Sequence, residues 1–344
     1  MSGESKECAG SRGRDACRAA LFDEGQGAWV LSRFADVWAA LRDPNLWPVS
    51  GKREIQPETR DEAGRLKERA AMLDSLSAAQ VEAWRPQLEA ATASMLADLP
   101  TDRPVDLFRE FTLPWGLSLA MLGLQANPVD RERLMGLGNR VFAATGASSD
   151  DAALRADAAA ATAELAEIFA NAPMPMGEPT FVALSQTLPR LLASCWLGLL
   201  RHPEEVARLR ADPELMPGAI EELLRHGGIV RRVYRRATAD LEIGGIRIAR
   251  GELVMLMLAS ANLDPGQFTD AERVVVSRPV TNHVALGAGR NSCVGAMLIR
   301  MAASVATRLL LARFDGLELC GVGELQTGSG FCFPSSVMVQ LTRS

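Results

Sequence analysis

A cysteine set among glycines is the feature of this sequence with the clearest potential for chemistry. Cys293 lies within HVALGAGRNSCVGAMLIR, residues 283–300. Gly287 and Gly289 precede it, and Gly295 follows it. Glycines allow positive backbone dihedral angles and the close approach of a flat ligand. The helix predicted after the cysteine would point its first amides at the sulfur and favour a thiolate, the form that soft and borderline metals prefer.

Spacing alone leaves two interpretations of this segment equally open. One is a metal-binding thiolate, and the other is a buried cysteine behind a glycine-rich turn. A phosphate-binding loop is a poorer interpretation, because the sequence Gly-Lys-Ser/Thr is absent. A dinucleotide-binding fingerprint also fails, since Ser292 stands where its third glycine should be.

Charged residues at helical spacing form two further motifs. Glu222 and Arg225 are three positions apart, so both charges lie on one face of a predicted helix. Arg65 and Arg69 occur in a second predicted helix, in the run RLKER. Taken alone, the first motif is most simply a surface ion pair, and the second is a pair of solvated arginines.

In their order and spacing, these segments together resemble the cytochrome P-450 family. Residues 283–300 resemble its haem-binding loop, with the pattern F-G-x-G-x-[HR]-x-C-x-G-x-x-L-A-R. Residues 28–44 resemble its first strand and the helix after it. Residues 234–245 resemble the segment that carries a propionate-binding arginine into a small sheet, and residues 261–273 resemble the motifs A-N-R-D-P and F-x-D-P-x-R. The resemblance extends from residue 28 to the C-terminus.

The resemblance implies a haem-thiolate protein whose cofactor is haem b, iron protoporphyrin IX. Cys293 would be the axial ligand of the iron. Arg65, Arg69 and Arg235 match positions that bind the haem propionates. The full set of residues expected to contact the cofactor is Cys293, Arg65, Arg69, Arg235, Arg290, Asn291, Leu286 and Gly287.

The chain departs from the family pattern near this loop. Leu286 replaces the usual phenylalanine, which packs beside the thiolate. Asn291 replaces the histidine or arginine that contacts a propionate, and Arg290, one place earlier, is the expected substitute. Arg65 replaces a histidine but can still pair with a carboxylate.

The central-helix motif A-G-x-[DE]-T is also altered, becoming ALSQT at residues 183–187. Thr187 is retained, and the resemblance implies a catalytic role for it in oxygen and proton handling. Gln186 takes the second catalytic position, but it cannot deliver a proton as a carboxylic acid does. Leu184 replaces the glycine and would narrow the oxygen-binding side of the pocket.

The resemblance also gives the Glu222 and Arg225 motif a structural role. In the family such a pair joins a third residue, here expected to be Arg273, in a buried cluster that locks the haem-side core. The chain is shorter than is usual for the family, and the deficit is expected between Asn171 and Phe181.

The fold class expected is mainly α with a minor β portion, a cytochrome P-450-like fold in one domain over residues 1–344. Residues 1–20 are expected to be loosely ordered. Helical periodicity covers residues 58–99, with Pro86 separating two helices. A long helix is predicted over Val294–Phe314.

Composition narrows the cellular setting and the partners. The formal net charge of -5 argues against a nucleic-acid-binding protein, for which a basic surface is expected. The six cysteines are irregularly spaced, which favours a reduced cytoplasmic protein over a disulfide framework. Neither a signal peptide nor a membrane span is predicted, so no membrane partner is expected.

The activity implied by the resemblance is monooxygenation, the hydroxylation or coupling of a small organic molecule, with secondary metabolism as the setting. The sequence contains no reductase module, so an external electron donor such as ferredoxin and its reductase is expected. Two alternatives remain open. The altered Gln186 and Leu184 also fit a peroxide-using or dioxygen-independent haem-thiolate enzyme. A non-catalytic helper protein that binds a partner enzyme is the third interpretation, against which the retention of Cys293 argues.

Overall fold

A computed structural model describes residues 20–49, 62–124, 130–145, 151–170, 177–279, 282–327 and 330–343. The prediction of a loosely ordered N-terminus therefore lies outside the described residues, except at Ala20. Most of the described chain is helical, with four small sheets, so the prediction of a mainly α fold with a minor β portion is confirmed.

Twelve α-helices make up most of the described chain. They are α1 (Phe34–Arg42), α2 (Glu62–Ser75), α3 (Ala78–Ala97), α4 (Leu113–Leu124), α5 (Arg131–Thr145), α6 (Ala152–Ile168), α7 (Glu178–Val182), α8 (Leu188–Leu200), α9 (Pro203–Ala211), α10 (Met216–Gly227), α11 (Leu258–Asn262) and α12 (Ala296–Arg313). A π-helical turn, Leu107–Thr112, leads into α4. A second π-helical turn, Ala183–Thr187, joins α7 to α8 in one continuous helical segment.

Twelve short strands form the sheets. They are β1 (Leu21–Asp23), β2 (Ala28–Leu31), β3 (Leu46–Val49), β4 (Val105–Asp106), β5 (Val233–Ala237), β6 (Leu241–Ile243), β7 (Ile246–Ile248), β8 (Leu253–Leu256), β9 (Gly316–Val322), β10 (Leu325–Thr327), β11 (Cys332–Pro334) and β12 (Val337–Thr342). The largest sheet has the order β1-β2-β8-β5-β3, in which only β2 and β8 are parallel. The smaller sheets are β4-β12-β9, β6-β7 and β10-β11.

The core is built chiefly around α8 and α12. Most side chains of α8 are buried, and α12 packs lengthwise against α3 with an alanine- and leucine-rich face. A second buried cluster lies between α1 and the largest sheet. Val230, just before β5, packs against both clusters, so helical core and sheet meet at the strand that carries Arg235.

Pro86 lies inside α3, so the prediction that it separates two helices was wrong. The break falls instead between Ser75 and Ala78. Proline removes one hydrogen bond within a helix. Here the helix buries a face that includes Val81 and Leu88, and that packing outweighs the lost bond.

The buried charged cluster contains Arg278 where the sequence predicted Arg273. Arg225 donates to both carboxylate oxygens of Glu222, at 2.7 and 2.8 Å, and Arg278 Nε lies 3.0 Å from Glu222 Oε2. Only the backbone carbonyl of Arg273 takes part, as an acceptor from Arg225 at 3.0 Å. The Arg273 side chain pairs with Glu204 at the surface.

Candidate functional site

The loop before α12 holds Cys293 by backbone hydrogen bonds. The amide of Cys293 donates to the carbonyl of Leu286 at 2.8 Å, which closes the loop around the glycines. Gly287 and Gly289 have φ values of 69° and 67°, in the region that favours glycine. A Cβ at Gly289 would lie 3.0 Å from the carbonyl oxygen of Leu41, so the missing side chain lets the loop dock on the end of α1.

Opposing influences act on the Cys293 sulfur. The pKa of its thiol is raised, because burial outweighs the hydrogen bond from the Gly295 amide and the charges of Arg69 and Arg300, which lower it. Helix α12 starts three residues later, at Ala296, and its positive end adds to the groups that favour a thiolate. Among the described residues, no group of three or more His, Cys, Asp or Glu side chains is arranged to hold a metal.

Three arginines from distant parts of the chain lie near this loop. Arg65 Nη1 donates to Asn291 Oδ1 at 3.0 Å, and Arg69 Nη2 donates to the carbonyl of Ser292 at 2.6 Å. Arg235, on β5, is buried, and its Nε has no hydrogen-bond partner. Burial, with a contribution from the nearby charge of Arg65, lowers the pKa of Arg235 to about 10. Arg235 therefore remains charged at neutral pH.

The arginine cluster fits a dianionic ligand. Burial lowers the pKa of Arg69, and repulsion from Arg65 lowers it further, while the Cys293 charge raises it. The charges of Arg65 and Arg235 repel each other, and the Nε of Arg235 is buried without a hydrogen-bond partner. This arrangement costs folding free energy unless a bound anion neutralises the charges. The two propionate carboxylates of a haem would do so, because guanidinium groups bind carboxylates with paired N–H bonds.

The loop residues Arg290, Asn291 and Leu286, also predicted to contact a cofactor, each have different neighbours. Arg290 Nη2 donates to the carbonyl of Pro44 at 2.7 Å, toward the chain that follows α1, while the adjacent Asn291 faces Arg65. Of these two neighbouring residues, Asn291 contacts Arg65, and Arg290 contacts the chain after α1. Leu286 is half-buried against the main core.

Gln186 is fully buried, and both ends of its amide are engaged. Its Nε2 lies 3.3 Å from Met135 Sδ on α5, and its Oε1 accepts from Arg190 Nη1 at 2.9 Å. Thr187, the last residue of the π-helical turn, is half-exposed. The structure therefore makes Gln186 a packing residue between α5 and α8, and it leaves Thr187 the more accessible of the two predicted catalytic residues.

Glu221 is a residue of the site that sequence reasoning missed. Arg300 Nε and Nη2 donate to its two oxygens at 2.7 and 2.9 Å, and His283 Nε2 lies 3.2 Å from its Oε2. Burial opposes ionisation of Glu221, but hydrogen bonds from His283 and Arg300 lower its pKa to about 2. One carboxylate of α10 thus contacts both flanks of the cysteine loop. The available signal was its place beside Glu222 in the motif EELLR.

The chain is similar in sequence and in fold to known proteins. The family profile described as Cytochrome P-450 matches residues 207–329. Cytochrome P-450 107B1 of Saccharopolyspora erythraea is 30% identical over 348 residues, covering 86% of this chain and 84% of that protein. Mycinamicin VIII C21 methyl hydroxylase of Micromonospora griseorubida is 30% identical over 334 residues, covering 86% of this chain and 85% of that protein. The tirandamycin C-bound structure of the P-450 monooxygenase TamI superimposes with a TM-score of 0.77 at 27% identity, covering 92% of this chain and 90% of that one.

No described helix is long and apolar enough to cross a membrane.

Proposed function

The chain belongs to the cytochrome P-450 family of haem-iron monooxygenases, and from that premise we propose that it binds haem b through Cys293 and oxidises a small organic molecule of secondary metabolism. The observation that carries the proposal is a thiol at the start of α12 together with three arginines around one loop. When bound, the haem supplies an iron whose thiolate ligand favours cleavage of the O–O bond.

In this proposal, the arginines near the loop and Thr187 have separate roles. Arg65, Arg69 and Arg235 bind the propionates and so fix the orientation of the porphyrin ring. These three charges and the sulfur of Cys293 would together hold the cofactor at this loop. Thr187 is the last residue of the π-helical turn Ala183–Thr187 and is half-buried, and its hydroxyl would hold a proton there.

The substrate and the electron donor are proposed at the level of chemical class. Two relatives with extensive alignments are named for mycinamicin VIII hydroxylation and for tirandamycin C binding, so a natural product of secondary metabolism is the class we propose here. For the electron donor, the proposal is an external protein of the ferredoxin type.

A carbon-monoxide difference spectrum of the reduced, haem-loaded protein tests the proposal. We expect the red-shifted Soret band of thiolate-ligated haem in the wild type and in Cys320→Ser, which alters an exposed cysteine. Cys293→Ser should lose that band. Unchanged absorption in Cys293→Ser would overturn the assignment of the ligand.

The engaged amide of Gln186 favours a second candidate, a haem-thiolate enzyme that uses peroxide. Gln186 supplies no acidic proton, and its oxygen is held by Arg190. Turnover with hydrogen peroxide alone, compared with turnover by reductase, ferredoxin and dioxygen, separates the candidates. Faster turnover with peroxide, and no gain of reductase-driven turnover in Gln186→Glu, would favour the second.

A further inference from the structure

Arg190 of α8 carries a buried charge that no acidic side chain among the described residues neutralises. Its Nη1 donates to the backbone oxygen of Gln186 at 2.8 Å and to the side-chain Oε1 at 2.9 Å. Its Nε is buried without a hydrogen-bond partner. Burial alone lowers the pKa of Arg190 to about 10, so the guanidinium is charged at neutral pH.

Three aromatic rings surround this guanidinium. Its Cζ lies 4.1 Å from the ring centre of Phe142, 5.2 Å from that of Phe333 and 5.6 Å from that of Phe108. The rings come from α5, β11 and the π-helical turn before α4, so three separate elements converge on one cation. Phe142 also packs edge-on against Phe333. This group of Arg190, Phe108, Phe142 and Phe333 is called the cationic corner below.

The rings do not use the hydrogen-bond donors of Arg190. Cation–π attraction acts through the ring faces and stabilises the charge, but it leaves the N–H groups without acceptors. No described residue accepts a hydrogen bond from Nε or Nη2 of Arg190, and these two atoms form one edge of the guanidinium. That edge matches the two oxygens of a carboxylate. The side chain as a whole is only partly buried, so it borders accessible space.

Arg190 also lies close to the proposed oxygen-handling residue along the helix. It follows Thr187 by three positions, which places both side chains on neighbouring parts of one helix face. An anion held at the corner would place its apolar part against Phe333, which is half-buried and 5.2 Å from the Arg190 guanidinium.

We propose that the Nε–Nη2 edge of Arg190 binds the carboxylate of the substrate, and that Phe333, the one ring of the cationic corner that is not buried, contacts the apolar part of the same molecule. This inference deepens the proposed function and rests on it: the substrate class becomes an aryl or other apolar organic acid. Arg190 is then the residue that selects acids over their neutral analogues.

The test compares naphthalene-2-carboxylate with naphthalene-2-carboxamide, which differ in charge and little in shape. Isothermal titration calorimetry with the haem-loaded protein should show at least ten-fold tighter binding of the carboxylate. Arg190→Gln should remove that preference, and Arg190→Lys should retain only part of it, because an ammonium group offers no planar fork. Arg131→Gln, which alters an exposed arginine of the neighbouring α5, should bind like the wild type.

Equal affinities for the two ligands, or no binding of the carboxylate by the wild type, would overturn the inference without any variant. The same conclusion follows if folded Arg190→Gln, checked by circular dichroism, keeps the preference. The carbon-monoxide spectrum reports separately on the haem-thiolate assignment. If the spectrum shows the thiolate-type Soret band but the protein does not prefer the carboxylate, only the proposed role of Arg190 is refuted. If the wild type lacks that band, the proposed function is refuted.

Discussion

At the scale of single residues, Arg235 indicates a bound anion, because one of its buried hydrogen-bond donors has no acceptor. It is buried on β5, its Nη1 donates only to the adjacent carbonyl of Tyr234 at 2.9 Å, and its Nε has no partner. A buried donor without an acceptor costs free energy that a bound anion recovers. Arg236, the next residue, points to the other face of the strand and donates to the carbonyl of Gly251.

Replacing Arg235 should weaken haem binding more than it weakens the fold. We expect Arg235→Leu to lower haem affinity by about ten- to one hundred-fold, since a hydrogen bond to a charged group contributes roughly 1.5–3 kcal/mol. Titration of the apoprotein with haem, followed at the Soret band, measures this change. Arg236→Leu is the matched control, and an equal loss in both variants would contradict the role of Arg235.

At the scale of elements, α5 packs closely on the π-helical turn Ala183–Thr187 because Gly138 of α5 has no side chain. A Cβ placed at Gly138 would lie 2.7 Å from Gln186 Nε2, whereas a Cβ at Gly136 meets nothing within 4 Å. Both glycines lie in the same helix. The close approach of Gln186 to α5 therefore requires glycine at position 138 but not at position 136.

Alanine at these two glycines should have opposite effects on stability. Gly138→Ala forces Gln186 to move and should lower the free energy of unfolding by about 1–3 kcal/mol, as overpacked cores do. Gly136→Ala should raise it by about 0.5–1 kcal/mol, because alanine loses less backbone entropy in a helix. Urea unfolding measures both, and destabilisation by the two substitutions alike would refute the argument.

Helix α10 and the cysteine loop are joined through the carboxylate of Glu221, and this link should depend on pH. The pKa of Glu221 is held at about 2, below its ordinary value of 4.5. A carboxyl group with a lowered pKa stabilises the fold above its unfolded-state pKa, and this stabilisation is lost as the pH falls through the folded-state value. The loss should therefore occur between pH 4.5 and about 2.

Glu221→Gln should remove this pH-dependent contribution. We expect the variant to be less stable than the wild type at pH 6, with the difference shrinking as the pH falls from 4.5 toward 2. Unfolding free energies measured across that range provide the test. Glu167→Gln, which alters an exposed residue of α6, serves as the control. If the difference in unfolding free energy between the wild type and Glu221→Gln stays constant with pH, the Glu221 carboxylate does not provide the pH-dependent stabilisation.

At the scale of the whole molecule, the buried cluster around Arg225 connects segments that are distant in sequence. Arg225 pairs with Glu222 on its own helix and donates to the carbonyls of Asn262 and Ala271, both at 2.7 Å. Glu222 in turn accepts from the amide of Val275 at 2.9 Å. The cluster therefore holds the end of α11 and the loop that follows it against α10.

Removing one buried partner of this cluster should destabilise the entire fold. Arg225→Met leaves buried Glu222 with Arg278 as its one charged partner among the described residues and takes the Arg225 donor from the carbonyls of Asn262 and Ala271, so it should cost about 3–5 kcal/mol of unfolding free energy. Arg273→Met breaks only the exposed pair with Glu204 and should cost less than about 1 kcal/mol. Guanidinium chloride unfolding compares the two, and similar losses would contradict the assignment of Arg225 as the buried member.

The sequence by itself determined the family and the mainly helical fold class. These follow from patterns carried by contiguous residues, such as the glycines around Cys293 and the apolar periodicity of α12. Arg65 and Arg69 could be placed on one helix for the same reason, because helical spacing is a local property.

Only the tertiary structure decided which distant side chains meet. It selected Arg278 over Arg273 for the buried cluster, turned Arg290 toward Pro44, and enclosed Gln186 between α5 and α8. It also brought Arg190 among three aromatic rings from separate elements. Such contacts depend on how helices and loops far apart in the chain pack together, and side-chain directions within one segment do not specify that packing.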